Sequence, residues 1–132
     1  MYYCDGSTYK NGQEGQDSSM IVLCPGGYEI REHLGNYTIN YAELEAIIRA
    51  FEVCDLGSEI STDSKICFNW VNNQVKYTKD NEYIVSNIRY AQRLLHTKGL
   101  SLLKVNRKEN LAGLSLEKNP FYGGDKWAHQ VK

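Results

Sequence analysis

A chain of 132 residues, 42% hydrophobic and 23% charged, is long enough to bury a core without staples, and its composition excludes wholesale disorder. A formal net charge of −1 excludes a uniformly basic surface, so any contact with phosphates has to come from a local patch. No apolar run approaches the roughly 20 residues of a membrane-spanning helix, and the start, Met1-Tyr2-Tyr3-Cys4-Asp5, lacks the basic and apolar regions of a secretory signal. A cytoplasmic protein with no membrane partner is the expectation.

Residues 1–8 read as a short Tyr-rich strand, broken by Lys10-Asn11-Gly12 as a turn. Residues 19–24 (SMIVLC) form a β-branched apolar run closed by Pro25-Gly26-Gly27. Residues 28–34 alternate, Tyr28 and Ile30 against Glu29 and Arg31, up to Gly35-Asn36. Together these make a three-strand antiparallel meander.

Asn40 then opens a helix in which Leu44, Ile47, Ile48, Phe51 and Cys54 recur at helical spacing, and Gly57 ends the run. Residues 59–62 read as a strand, and Ser64 starts a second helix through Phe68, Trp70 and Val71. The stretch 72–80 is polar and loop-like. Residues 81–98 make the longest helix, with Ile84, Ile88, Ala91, Leu94 and Leu95 on one face and Gly99 just past its end. A strand over 100–105 and a short helix over 109–118 follow, and Pro120 stops that helix. A meander followed by alternating strand and helix predicts an α/β fold: a five-stranded mixed sheet, three strands antiparallel and two parallel, with helices on both faces. One domain is expected over 1–118, with a C-terminal tail over 119–132.

Cys4, Cys24, Cys54 and Cys67 lie far apart, with no CxxC pair and no adjacent histidine. Zinc needs clustered ligands, so the four read as small, partly buried hydrophobes in a reducing compartment.

Three acids stand out, and each also has a plain structural explanation. Asp5-Gly6 is a common turn dipeptide. Glu43 follows Asn40 by three residues, as in a capping box. Asp63-Ser64 joins a strand to a helix, where either residue caps. Taken together they point elsewhere. Asp5 shares a strand face with Tyr3 and Ser7, and Glu43 lies on the Ala46/Ile47/Ala50 side of its helix, whereas Glu45 groups with Ile48, Arg49 and Glu52 towards the outer edge. Asp63 stands at the carboxyl end of a strand, where open α/β sheets place ligands. Three converging carboxylates repel one another unless a divalent cation neutralises them, and oxygen-only ligation suits Mg²⁺, with Mn²⁺ as a substitute.

Asp5-Gly6-Ser7-Thr8 on the first strand, Asn40-Tyr41-Ala42-Glu43-Leu44 opening the first helix and Thr62-Asp63-Ser64 after the fourth strand resemble the catalytic segments of the ribonuclease H family. The closer likeness is to its small bacterial and phage reverse-transcriptase-like members. Residues 105–113 (VNRKENLAG) look like the family's last strand-to-helix segment, and the resemblance spans roughly residues 1–118. It implies an endoribonuclease that hydrolyses the RNA strand of RNA–DNA hybrids by a two-metal mechanism; a monomer is the separate expectation. Asp5 would then bridge both Mg²⁺ ions, with Glu43 and Asp63 holding the ion at the leaving group. Asn40 would read the minor groove, where the RNA 2′-hydroxyl is displayed, unless it serves only as a cap. Ser7, Arg107 and Lys108 are the other expected substrate contacts, with Lys98 and Lys104 beside the two basic residues.

One position departs from the family pattern. The fourth carboxylate normally follows an alanine early in the last helix, and here that residue is Gly113. Glu117, one turn on, is the expected substitute, because helical side chains lean back towards the N-terminus; Glu109 leans away, and Asp125 in the tail is a weaker candidate. The alternative reading is a catalytically silent ribonuclease H-like module that binds nucleic acid or a protein partner. A third keeps the metal centre but changes the substrate to duplex RNA or to DNA.

Overall fold

In the computed structural model, which describes residues 1–8, 17–79 and 81–118, the expected mixed sheet forms from five strands. They are β1 (Tyr2–Thr8), β2 (Asp17–Leu23), β3 (Glu29–Asn36), β4 (Glu59–Thr62) and β5 (Ser101–Lys104), in the order β3-β2-β1-β4-β5. The β1–β2 and β2–β3 pairs are antiparallel, and β1–β4 and β4–β5 are parallel. Lys10-Asn11-Gly12, Pro120, Asp125 and the expected tail lie outside the described residues.

Strand alternation assigns each face its own layer. Cys4, Met20 and Val22 point to one side and pack on α1 (Ile39–Val53) through Leu44, Ala46, Ile47, Ala50 and Phe51. Ile21 points to the other side, onto Ala112 and Leu116 of α4 (Leu111–Lys118). Helices therefore cover both faces, and Asp5, which pairs with Ile21, lies on the α4 side, whereas Gly6, paired with Met20, lies on the α1 side. The cysteines are free thiols, with Cys4, Cys54 and Cys67 buried, as small hydrophobes should be.

Several boundaries differ from the sequence reading. β2 starts two residues early, with a register irregularity between Ser18 and Ser19, and β3 runs on through Gly35 (φ +99°) to Asn36. The cap of α1 is Thr38, not Asn40: its hydroxyl accepts the Tyr41 N–H at 3.2 Å and pairs with the Tyr83 hydroxyl at 2.7 Å. Ile48, assigned to the outer side of that helix, is buried, because α3 (Val85–Thr97) packs there; Glu45 instead accepts a hydrogen bond from Asn87 of α3 at 2.9 Å. The 81–98 helix divides into a 3-10 turn over Glu82–Ile84 and α3. Ser64 caps α2 (Lys65–Asn72) as expected, accepting the Cys67 N–H at 3.1 Å. The last helix also begins later than expected, after a 3-10 turn over Arg107–Glu109.

Candidate metal centre

β1 pairs with β4 through Tyr2–Ile60 and Tyr3–Ser61, and beyond Tyr3 that edge of β1 has no strand neighbour among the described residues. Glu43 fills the gap, and its Oε1 accepts the backbone N–H of Gly6. This contact requires α1 to touch β1, and only glycine permits the approach. A Cβ at position 6 would stand 2.5 Å from the Ala42 carbonyl carbon and the Glu43 nitrogen, both backbone atoms that cannot turn aside. Gly6→Ala should therefore cost about 3 kcal/mol or more in chemical denaturation, the upper end for overpacking. An unchanged midpoint would mean that α1 yields freely.

Asp5, Glu43 and Asp63 converge, each offering an oxygen within 4.8 Å of the others. Burial pushes the Glu43 carboxyl well above its ordinary range, reinforced by the charge of Asp5 and a hydrogen bond with it. Burial also pushes Asp5 up to about 6, with the charge of Asp63 adding to the rise and the hydrogen bonds from Glu43 and the Gly6 N–H opposing it. Without a cation, these groups hold a proton at a pH where free carboxylates do not. An all-oxygen donor set of three acids at this spacing fits Mg²⁺ or Mn²⁺, whose charge replaces that proton.

The acids open onto a cleft of about 510 Å³, also lined by Ser7, Arg107 and Glu117. Ser7 shares a hydrogen bond with the Ser19 hydroxyl at 3.3 Å. Glu117 is mostly exposed and pairs with Arg107 at 3.7 Å. Gly113 lies over the acids themselves: a Cβ there would be 3.0 Å from Asp5 Oδ2 and 3.8 Å from Asp63 Oδ2. Asn40 is half-buried, one residue beyond Ile39 of the cleft wall, and its carbonyl accepts the Cys67 S–H at 3.6 Å. Lys108 is exposed on the 3-10 turn, outside the lining of the cleft. Glu109 is turned to its own backbone, accepting the Asn106 N–H at 3.3 Å.

Asn110 was not singled out from the sequence. Reading the last helix as starting at Glu109 hid it inside that helix, whereas it stands just before α4 and accepts the Ala112 N–H at 3.1 Å. A short polar residue followed by Leu111-Ala112 was the available signal.

The RNase H family model matches residues 1–110. The chain belongs to the ribonuclease H family. The matched segment contains all three acids and stops three residues before Gly113. Solved structures agree on the fold. An RNase H1 from the halophilic archaeon Halobacterium salinarum is 21% identical, with a TM-score of 0.68 over 87% of this chain and 91% of that one. LC11-RNase H1 in complex with an RNA/DNA hybrid is 20% identical, with a TM-score of 0.65 over 87% and 91%. The N-terminal RNase H domain of rv2228c from Mycobacterium tuberculosis is 19% identical, with a TM-score of 0.64 over 87% and 92%. Comparison with curated proteins gives no match. Among the described residues, no helix is long and apolar enough to cross a membrane.

Proposed function

We propose that this ribonuclease H protein is a metal-dependent endoribonuclease that hydrolyses the RNA strand of RNA–DNA hybrids. The observation that carries the reading is the convergence of Asp5, Glu43 and Asp63 on the wall of a cleft, within the segment matched by the family. The hybrid held by the similar LC11 enzyme supports the choice of substrate. Asp5, Glu43 and Asp63 would hold Mg²⁺ or Mn²⁺, which when bound supplies the Lewis acid for phosphodiester hydrolysis. Glu117, on the cleft wall one helical turn from Gly113, completes the acidic set. Ser7 and Arg107 line the path of the hybrid, Asn40 flanks it, and Lys108 adds charge at its margin.

Labelled RNA–DNA hybrid incubated with Mg²⁺, and separately with Mn²⁺, tests this beside single-stranded RNA, duplex RNA and duplex DNA. Selective cutting of the hybrid's RNA strand is the expected result. The alternative of a silent binding module draws on one observation, the absence of a side chain at Gly113 over the acids. Binding without cutting under either metal would establish it.

Affinity should be modest and steeply salt-dependent, since few cations border the cleft. Replacing Arg107 and Lys108 together should weaken hybrid binding for all sequences alike and lower the log–log salt slope by up to about 2. A loss confined to particular base sequences would contradict phosphate contact.

A further inference from the structure

Asn110 has no accessible surface, and its side chain is fully engaged. Its Nδ2 donates to the Cys4 carbonyl at 3.0 Å and to Asp63 Oδ2 at 3.2 Å, while its Oδ1 accepts the Ala112 N–H. These partners fix which way the amide points, because a flip would set oxygen against two acceptors and nitrogen against an N–H. One side chain thus joins three parts of the centre: the residue before Asp5, the residue before Gly113, and Asp63 itself.

Capping α4 accounts for only one of these bonds. Serine, threonine or aspartate would serve there as well. The other two need a donor with two protons and no charge. Aspartate would face the Cys4 carbonyl and Asp63 with a third acceptor, and a lysine would neutralise a carboxylate that the cation needs. An amide holds Asp63 in place and leaves its charge available.

We propose that Asn110 is a positioning residue for the metal centre, holding the Asp63 carboxylate beside Asp5 and Glu43 while anchoring the start of α4 to β1. This rests on reading the three acids as a metal centre. Its expected mark is on metal affinity and on turnover at saturating hybrid, because Asn110 lies beneath the acids and not on the cleft wall.

Asn110→Ser keeps a good cap and removes the grip on Asp63. In the full chain, Mn²⁺ affinity measured by calorimetry should fall about 10- to 100-fold, as when partners of metal ligands are removed. The kcat on hybrid should fall and partly recover at high Mn²⁺, with the KM for hybrid within about twofold of wild type. A variant that melts earlier yet binds Mn²⁺ as tightly as wild type would reduce Asn110 to a cap and overturn the proposal. The wild-type side-chain amide resonance of Asn110 gives a second measurement that needs no variant. It should shift during Mg²⁺ titration with the midpoint of metal binding, and a resonance unmoved at saturation also overturns the proposal. Mn²⁺ affinity is read without turnover, so a chain that binds the metal but cuts no hybrid removes the nuclease reading and leaves this one to be judged. A wild-type chain that binds no Mn²⁺ overturns both.

Discussion

Asp5→Asn should reduce hybrid cleavage by more than about 100-fold, beyond the usual cost of losing a ligand's partner, and at neutral pH it should also make the metal-free protein more stable. The second effect follows from the direction of the Asp5 shift. In the unfolded chain Asp5 ionises near 3.8, and in the folded, metal-free chain at about 6. Its contribution to stability is therefore whole below pH 3.8 and is lost as pH rises through 6. The loss amounts to about 3 kcal/mol above that range. Asparagine carries no charge at any pH, so the variant escapes the loss and also relieves Glu43 of a neighbouring charge. Thermal melts should show the variant ahead by about 10 °C at pH 7.5 and level with wild type at pH 4. Saturating Mg²⁺ should narrow or reverse the gap at pH 7.5, because only wild type keeps the full ligand set. Wild-type cleavage by the folded variant would remove Asp5 from the centre. Glu45→Gln on the same helix as Glu43 should leave cleavage near wild type, since its carboxylate engages Asn87 on the far side.

The three acids were legible because local rules fix their directions. Strand parity put Asp5 with Tyr3 and Ser7, helical spacing put Glu43 on the core side, and a strand end placed Asp63. Where the sequence reading failed, a distant partner decided. The sequence reading opens α1 at Asn40, and the structure caps it at Thr38, whose hydroxyl also meets that of Tyr83. Ile48 looked outward until α3 covered it, and a helical period carries no mark of a second layer. Asn110 draws its importance from Cys4 and Asp63, 106 and 47 residues away along the chain. Gly6 reads as a turn residue in Asp5-Gly6-Ser7, yet its lack of a side chain serves the contact between α1 and β1.

Gly113 poses the sharpest question for catalysis, and Glu117 is the expected answer. Residues four apart on a helix share nearly the same face, about 5.4 Å along the axis. Helical side chains lean towards the N-terminus, and Glu117 lines the same cleft as Gly113 and the three acids. Its present partner is Arg107 at 3.7 Å, both side chains being more than half exposed. An exposed pair of that kind is worth about 0–1 kcal/mol, little hindrance to a carboxylate recruited by a divalent cation. Glu117→Gln should accordingly lower hybrid cleavage nearly as far as Asp63→Asn does, about 10- to 100-fold or more. Glu109→Gln should be mild, because that carboxylate is turned to the Asn106 N–H. Restoring an acid by Gly113→Asp should rescue part of the activity lost in Glu117→Gln. It should also lower the stability of the metal-free chain, since the new Cβ meets Asp5 Oδ2 at 3.0 Å and a fourth acid joins a cluster that already holds a proton. Asp5 can give way by a few tenths of an ångström, being the free end of a side chain, so the electrostatic part dominates and Mg²⁺ should reverse it. Melting curves of Gly113→Asp with and without Mg²⁺, set beside cleavage by the double variant, separate the two effects. If Glu117→Gln cuts hybrid at the wild-type rate, Glu117 is only the partner of Arg107, and water or a substrate oxygen completes the set of ligands above Gly113.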